Sequence, residues 1–213
     1  IVKNGTIPPK DVKVPGILVD LVVQVKDPKN HMQTGNTQYN ENFLRNGVKI
    51  QAAQQEPMSL DIKKVVARRC AMQAKPSQRI MNFGIGYPEA VAAVMKEEGI
   101  EEFFSPSVEP GLVGGSAQGG LDFGAAFNPE AIIDEPYQFD FYDGGGVDCT
   151  FLGMAECDKD GNLNVSKFGP RIPGCGGFID ISQNSKECVF CGTFTADGLK
   201  VEIKDGKVVI LQE

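Results

Sequence analysis

Apolar positions in this chain recur at two periods, and the change of period marks the elements. Leu60, Val65, Val66 and Ala67 lie on one helical stripe that runs to about Ala74, with Ser59 as its N-cap. Arg79 to Gly84 holds the short run Ile-Met-Asn-Phe and predicts a strand. Pro88 sits near the first position of a second helix, Glu89 lies in its first turn and Gly99 ends it. Glu102-Phe-Phe-Ser predicts the next strand, so this stretch is a βαβ unit and implies a parallel sheet. Further on, Val147 to Ala155 predicts an apolar strand. Lys159-Asp-Gly-Asn162 predicts a turn into Leu163 to Lys167, Phe178 to Gln183 a short helix, and Cys188 to Phe194 a central strand. Lys204-Asp-Gly-Lys207 joins two strands that read as antiparallel. The predicted class is α/β: an open, mostly parallel sheet flanked by helices, with a small antiparallel C-terminal hairpin.

Residues 1–55 differ from the rest of the chain. Val14 to Val25 is rich in β-branched residues and predicts a strand, and Asp27 to Asn46 is polar, rich in Asn and Gln, and has no helical period. The predicted organisation is the tail of a preceding domain plus a linker over 1–55, and one compact domain over 56–213. The chain starts at Ile1 with no leader pattern, which reads as the middle of a longer protein. No apolar run reaches the ~18 residues of a membrane helix, so no membrane is expected.

The net charge of −7 is spread along the chain, which argues against nucleic acid as a partner. It also requires any anionic ligand to be met locally by a few cations or backbone amides. Six cysteines read as buried, reduced thiols of a cytoplasmic protein. Cys188-Val-Phe-Cys191 matches C-x-x-C, but residues three apart on a strand face opposite ways, and no second Cys pair or His cluster completes a site, so no metal is expected. His31 is the only histidine and lies in the linker region, which leaves the compact domain without histidine-based nucleophile activation.

What remains is carboxylate chemistry. Ser107-Val-Glu-Pro-Gly-Leu-Val-Gly-Gly115 places Glu109 in a run where little else can react, and six glycines fall from Gly111 to Gly124. Pro110 disfavours helix at Glu109, and the glycines let backbone approach a ligand. Three glycine-bearing loops follow predicted strands, at Gly84 to Gly86, Glu109 to Gly124 and Gly174 to Gly177. They should meet at one edge of the sheet. Gly84-Ile-Gly86 fails as a dinucleotide fingerprint because Glu89 occupies the third glycine position. Asp140-Phe-Tyr-Asp-Gly-Gly-Gly-Val-Asp148 does not match a calcium loop and reads as turn-forming Asp beside Gly. By spacing alone Glu109 is a nucleophile or a solvated loop glutamate. Gly174-Cys-Gly-Gly177 is an oxyanion-binding turn or a plain strand-to-helix turn.

Ser107 to Gly115, Gln138-Phe-Asp-Phe-Tyr-Asp-Gly-Gly-Gly146, Asn162-Leu-Asn-Val-Ser-Lys-Phe-Gly169 and Gly174-Cys-Gly-Gly-Phe-Ile-Asp-Ile181 together resemble the family I coenzyme A transferases. The type they resemble is the fused-chain acetate, propionate or short-chain acyl-CoA:3-ketoacid transferase, with the end of an α-type half followed by most of a β-type half. The resemblance implies Glu109 as nucleophile and a glutamyl-CoA thioester as intermediate. It also implies coenzyme A as substrate rather than resident cofactor, and an acyl-CoA and a short-chain carboxylate as partners. Further expectations are that the α-type half of the same longer chain completes the site and that the protein is a homo-oligomer. The oxyanion and CoA contacts fall to backbone at Gly174, Gly176, Gly177, Gly114 and Gly115, and CoA phosphates to Lys167 or Arg171. An ordinary carboxylate pKa near 4.3 would leave Glu109 ionised without a base. An acyl-CoA hydrolase on the same scaffold and a non-catalytic member that binds CoA or a protein partner stand as the alternatives.

Overall fold

The structure, a computed structural model, describes residues 2–44, 57–195 and 198–212. Helix α1 (Ile62–Ala71) starts at Asp61, whose carboxylate accepts the Lys64 amide at 2.8 Å. Asp61 rather than Ser59 is therefore the N-cap, because it is the last extended residue whose side chain reaches an orphan amide. Strand β1 (Ile80–Phe83) enters α2 (Tyr87–Glu97) through Gly86, and β2 (Ser105–Val108) follows. The strand expected from Glu102 begins later. Glu101–Phe103 is a 3-10 turn, and parallel pairing starts only at Ile80 with Ser105.

Four two-residue strands come next: β3 (Leu112–Val113), β4 (Ser116–Ala117), β5 (Ala126–Phe127) and β6 (Ala131–Ile132). Helix α3 (Glu135–Asp143) takes up the first four residues of the segment read as Asp-Gly turn. Asp140 and Asp143 are helical, and only Gly144 onward is turn. Then come β7 (Cys149–Leu152), the hairpin β8 (Glu156–Cys157) and β9 (Leu163–Asn164), α4 (Phe178–Asn184) and β10 (Cys188–Phe190). The last elements are the antiparallel pair β11 (Lys200–Lys204) and β12 (Lys207–Gln212).

The main sheet runs β10-β7-β1-β2-β3-β6, with the first four strands parallel and the last two antiparallel. β10 is an edge strand and stops at Phe190, so the expectation of a central strand to Phe194 fails. Among the described residues it pairs with β7 alone, and α4 covers its apolar side through the Phe178–Phe190 ring contact. From β1 the chain crosses to β2 on one side and later to β7 on the other, which makes β1 the switch point of the parallel part.

Alternation along these strands builds two different layers. Met81, Phe83, Cys149 and Phe151 join Val91, Val94 and Met95 of α2 and Ala67 and Cys70 of α1 in an apolar core. On the opposite side, Tyr142 of α3 and Ile181 of α4 pack with Val147 and Leu152. On that side Thr150, Asn82 and Ser107 occupy one lateral row of three paired strands, all fully buried.

Residues 2–44 contain short 3-10 turns and no strand among the described residues. The strand expected over Val14 to Val25 is not formed. Leu21, Val22 and Val23 are exposed and no neighbouring strand offers a ladder, without which β-propensity has nothing to act on. This segment touches the rest through the Lys13–Asp134 ion pair (3.2 Å), a Thr34 hydroxyl that donates to Asp122 (2.5 Å) and the Phe43–Phe127 rings (5.2 Å apart). The boundary placed at 55/56 lies outside the described residues.

Asp148 ties the start of β1 to the sheet. One carboxylate oxygen accepts the Arg79 and Ile80 amides at 2.7 and 3.0 Å, and the other accepts Lys186 Nζ at 2.6 Å. The Lys186 ammonium and these amides hold its carboxyl down to about 2. A depressed carboxylate stabilises the fold fully above its unfolded value, about 3.9, and loses that effect as pH falls through the folded value. Asp148→Asn is therefore expected to cost about 1–3 kcal/mol near neutrality. In denaturant titrations its gap to wild type should close between about pH 4 and about pH 2; a gap that stays constant with pH would contradict this.

Candidate active site

The carboxyl ends of β1, β2 and β7 open on one cavity of about 380 Å³. Gly84 and Ile85 follow β1, Glu109 follows β2, Gly153 follows β7, and Gly176 and Gly177 arrive from the turn before α4. The predicted meeting of three glycine loops is thus present at the switch point, where ligands of open α/β sheets bind. Among the described lining residues Glu109 is the one charged side chain, and Phe123, Leu152, Val165, Phe168 and Phe178 make the wall apolar.

Local sequence explains why Glu109 points here. β2 ends at Val108, and the Gly111 amide donates back to Val108 O at 3.0 Å, so Glu109 and Pro110 form the crest of a tight turn. Gly111 holds φ +108°, and a methyl group on it would lie 2.0 Å from Ile133 O. Only glycine lets this turn lie against the loop before α3. Across the cavity, a Cβ on Gly177 would sit 2.7 Å from Glu109 Oε2 and 2.7 Å from Phe139 Cζ. The carboxylate and the Phe139 ring edge therefore both close on the bare backbone of Gly177. Burial there, with a smaller contribution from the negative charge of Glu135, pushes the Glu109 pKa up. The ordinary value assumed from sequence is corrected in direction: the fold makes this carboxylate more basic and less hydrated.

The backbone donors divide. Gly174 does not line the cavity, because its amide is used on Ser166 O at 3.3 Å. The amides of Gly176 and Gly177 have no hydrogen-bond partner among the described residues, and both residues line the cavity. Gly114 and Gly115 are not brought to Glu109. They line a second cavity of about 430 Å³ on the other side of Phe123, where Gly114 abuts Glu130 and Gly115 the backbone of Phe127 and Asn128. Lys167 and Arg171 are exposed next to the rim residue Phe168 and do not line the cavity. His31 is exposed at the end of a 3-10 turn and is not a lining residue.

Two motifs resolve into local structure. Glu89 accepts the Gly120 amide at 3.2 Å, so the residue that spoils the dinucleotide pattern ties down the loop beyond Glu109. Of the cysteines, Cys70, Cys149 and Cys191 are buried, Cys175 and Cys188 half-buried and Cys157 exposed, so the all-buried expectation holds for three. Cys188 donates toward Ser182 O on the α4 side, whereas Cys191 packs in the opposite core, as the strand geometry requires. Burial pushes the Cys149 thiol up to about 12. Sequence reasoning missed Phe139 and Tyr142, because the Asp-Gly turn signal hid α3. Asp134-Glu-Pro136 before the apolar residues, a helix-start pattern, could have exposed it.

No family model matches the chain. Acetate CoA-transferase YdiF of Escherichia coli (strain K12) is 42% identical over 213 residues, which are 100% of this chain and 39% of that protein. Over its whole length the chain is thus similar to coenzyme A transferases, the family its motifs resemble. Caffeate CoA-transferase of Acetobacterium woodii is 42% identical over 215 residues, covering 99% of this chain and 40% of that protein. A crystal structure of the acyl-CoA transferase YdiF apoenzyme from Escherichia coli O157:H7 superposes with a TM-score of 0.69 and 41% identity, over 100% of this chain and 38% of that one. A YdiF thioester complex with CoA gives 0.66 and 40%, with the same coverage. The chain spans about 39% of the length of the curated relatives it matches.

The raised Glu109 pKa has a stability consequence. The unfolded state ionises at about 4.3 and the native state at a higher pH. Stability contributed by neutral Glu109 is therefore lost as pH rises through that window. Glu109→Gln should be more stable than wild type at neutral pH and equal to it below about pH 4; a variant less stable at pH 7 would contradict the burial argument. Gly177→Ala must move the carboxylate or the Phe139 ring and should lower stability by about 1–3 kcal/mol. Gly176→Ala meets open space but holds φ +56° and should cost about 1–2 kcal/mol. Thermal melts read both, and only Gly177→Ala should also shift the Glu109 titration.

Proposed function

We propose that this chain carries the nucleophile half of an enzyme that moves coenzyme A between a short-chain acyl-CoA and a free carboxylate. One observation carries the reading: a lone, desolvated carboxylate against a free glycine backbone, in an apolar cavity at the switch point of the sheet. The Glu109 carboxylate attacks the thioester carbonyl, the C–S bond breaks, and a mixed anhydride and CoA thiolate result. The thiolate attacks the glutamyl carbonyl of the anhydride, which releases the first acid and leaves a glutamyl-CoA thioester. A second carboxylate attacks that thioester, and the thiolate then takes the new acyl group, which restores Glu109. Each attack passes through a tetrahedral oxyanion, and the Gly176 and Gly177 amides are the donors proposed for it. One such donor is worth about 3–4 kcal/mol.

The attacking form of Glu109 is its carboxylate anion, which needs no separate base, and its weak hydration removes part of the barrier to attack. The apolar wall keeps water from the anhydride and thioester, whose hydrolysis would waste the transfer. Lys167 or Arg171, exposed beside the rim, is proposed to meet CoA phosphates. Residues 1–55 are proposed to end an α-type half that supplies the rest of the acyl pocket. A probable coenzyme A transferase subunit beta of Bacillus subtilis, 28% identical over 137 residues (58% of this chain and 61% of that protein), supports a division into two halves. All six cysteines are free, which supports a reducing, cytoplasmic setting, and a homo-oligomer is proposed. No described helix is long and apolar enough to cross a membrane.

Initial rates of CoA transfer from acetyl-CoA to a labelled short-chain acid should give the parallel lines of ping-pong kinetics. Glu109→Ala should lower transfer by at least about 10³-fold. Retained transfer would place the chemistry elsewhere, and steady CoA release without an acceptor acid would indicate a hydrolase.

A further inference from the structure

The strands that hold the cavity are apolar on one face, and on the other a polar row runs beside a smaller apolar cluster. On the α1/α2 side β1 and β7 present Met81, Phe83, Cys149 and Phe151. On the α3 side the lateral row Thr150, Asn82, Ser107 is polar, and α3 lays Gln138 and Tyr142 over it. All five side chains have 0% exposure. Burying polar groups demands partners, and a row confined to one face needs a reason that packing alone does not give.

The hydrogen bonds in this layer leave little freedom. Asn82 Nδ2 and Gln138 Nε2 donate to the Tyr142 hydroxyl at 3.2 and 2.9 Å. Both lone pairs of that oxygen are taken, so its single proton goes to Ser107 Oγ, 3.1 Å away. Ser107 in turn donates to Met81 O at 3.2 Å. Thr150 donates to Asn82 Oδ1 at 2.9 Å. Gln138 Oε1 has no partner among the described residues, so the layer is kept although one acceptor goes unsatisfied. Ser107 stands two residues before Glu109 on β2. From the turn of α3 between Gln138 and Tyr142, Phe139 approaches the same bare face of Gly177 as the Glu109 carboxylate.

We propose that Tyr142 is a positioning residue: through Ser107 it fixes the end of β2, and so the aim of the Glu109 carboxylate. It touches no substrate. Its removal leaves Ser107 Oγ without its donor and frees the strand end to shift. Displacement of a reacting group by about 1 Å costs roughly 10²-fold in rate. This inference rests on the covalent role proposed for Glu109.

The test measures CoA loading onto the intact protein by mass spectrometry in a single turnover with acetyl-CoA. Tyr142→Phe is expected to load roughly 10- to 100-fold more slowly at saturation, with the half-saturating acetyl-CoA concentration unchanged. Val94→Ala, in the apolar core of the other face, should lower the melting temperature and load at the wild-type rate. Ser107→Ala should reproduce the Tyr142→Phe rate, and the double variant should be no slower than either, since both remove one link. If Tyr142→Phe does not fold, Ser107→Ala carries the same comparison. Loading at the wild-type rate in these variants, equal slowing in Val94→Ala, or multiplying effects in the double variant would overturn the proposal. A wild-type protein that never loads CoA would remove the Glu109 mechanism and this inference together. A wild type that loads beside an unaffected Tyr142→Phe would remove this inference alone.

Discussion

Between the Glu109 carboxylate and the backbone of Gly177 there is no space for a methyl group, and the Phe139 ring edge crowds the same point. This contact sets most of what the site can do. It strips water from the carboxylate, which raises its pKa. It also brings a carboxylate oxygen against the Gly176–Gly177 turn, whose amides have no partner among the described residues. A side chain at residue 177 would separate the two.

The sheet makes that contact possible. β1 sits at the switch point, so loops from β1, β2 and β7 open toward the same space. The two faces divide the work. One is an apolar core of the kind that supplies stability through buried area. The other combines a smaller apolar cluster with a fixed hydrogen-bond layer under the turn that carries Glu109. Native proteins depart from uniform core packing where function requires a defined geometry.

Much of this was legible in the sequence because the signals were local. The run from Arg79 to Gly84, Pro88 at a helix start and the Asp-Gly of the final hairpin each fix their own neighbourhood, and each sits where expected. Glu109 stood out because glycine and apolar residues surround it. What was not legible depended on distant partners. Val14 to Val25 has strand-like residues and no strand beside it. β10 looks central from its composition and lies at an edge, because sheet order is decided by crossovers that leave no local mark. Helix α3 was hidden by Asp and Gly, and its buried face is the polar pair Gln138 and Tyr142, which blurs the apolar period. Gly114 and Gly115 adjoin the motif in sequence, yet the β2–β3 turn carries them into the other cavity.

The central claim is that Glu109 itself becomes bonded to coenzyme A. The most direct measurement is to incubate the intact protein with acyl-CoA, reduce with borohydride, digest, and sequence the peptide that contains residue 109 by mass spectrometry. A thioester at Glu109 would be recovered as the corresponding alcohol at that position and at no other carboxylate. Recovery of unaltered Glu109 from protein that is exchanging CoA at full rate would contradict the account.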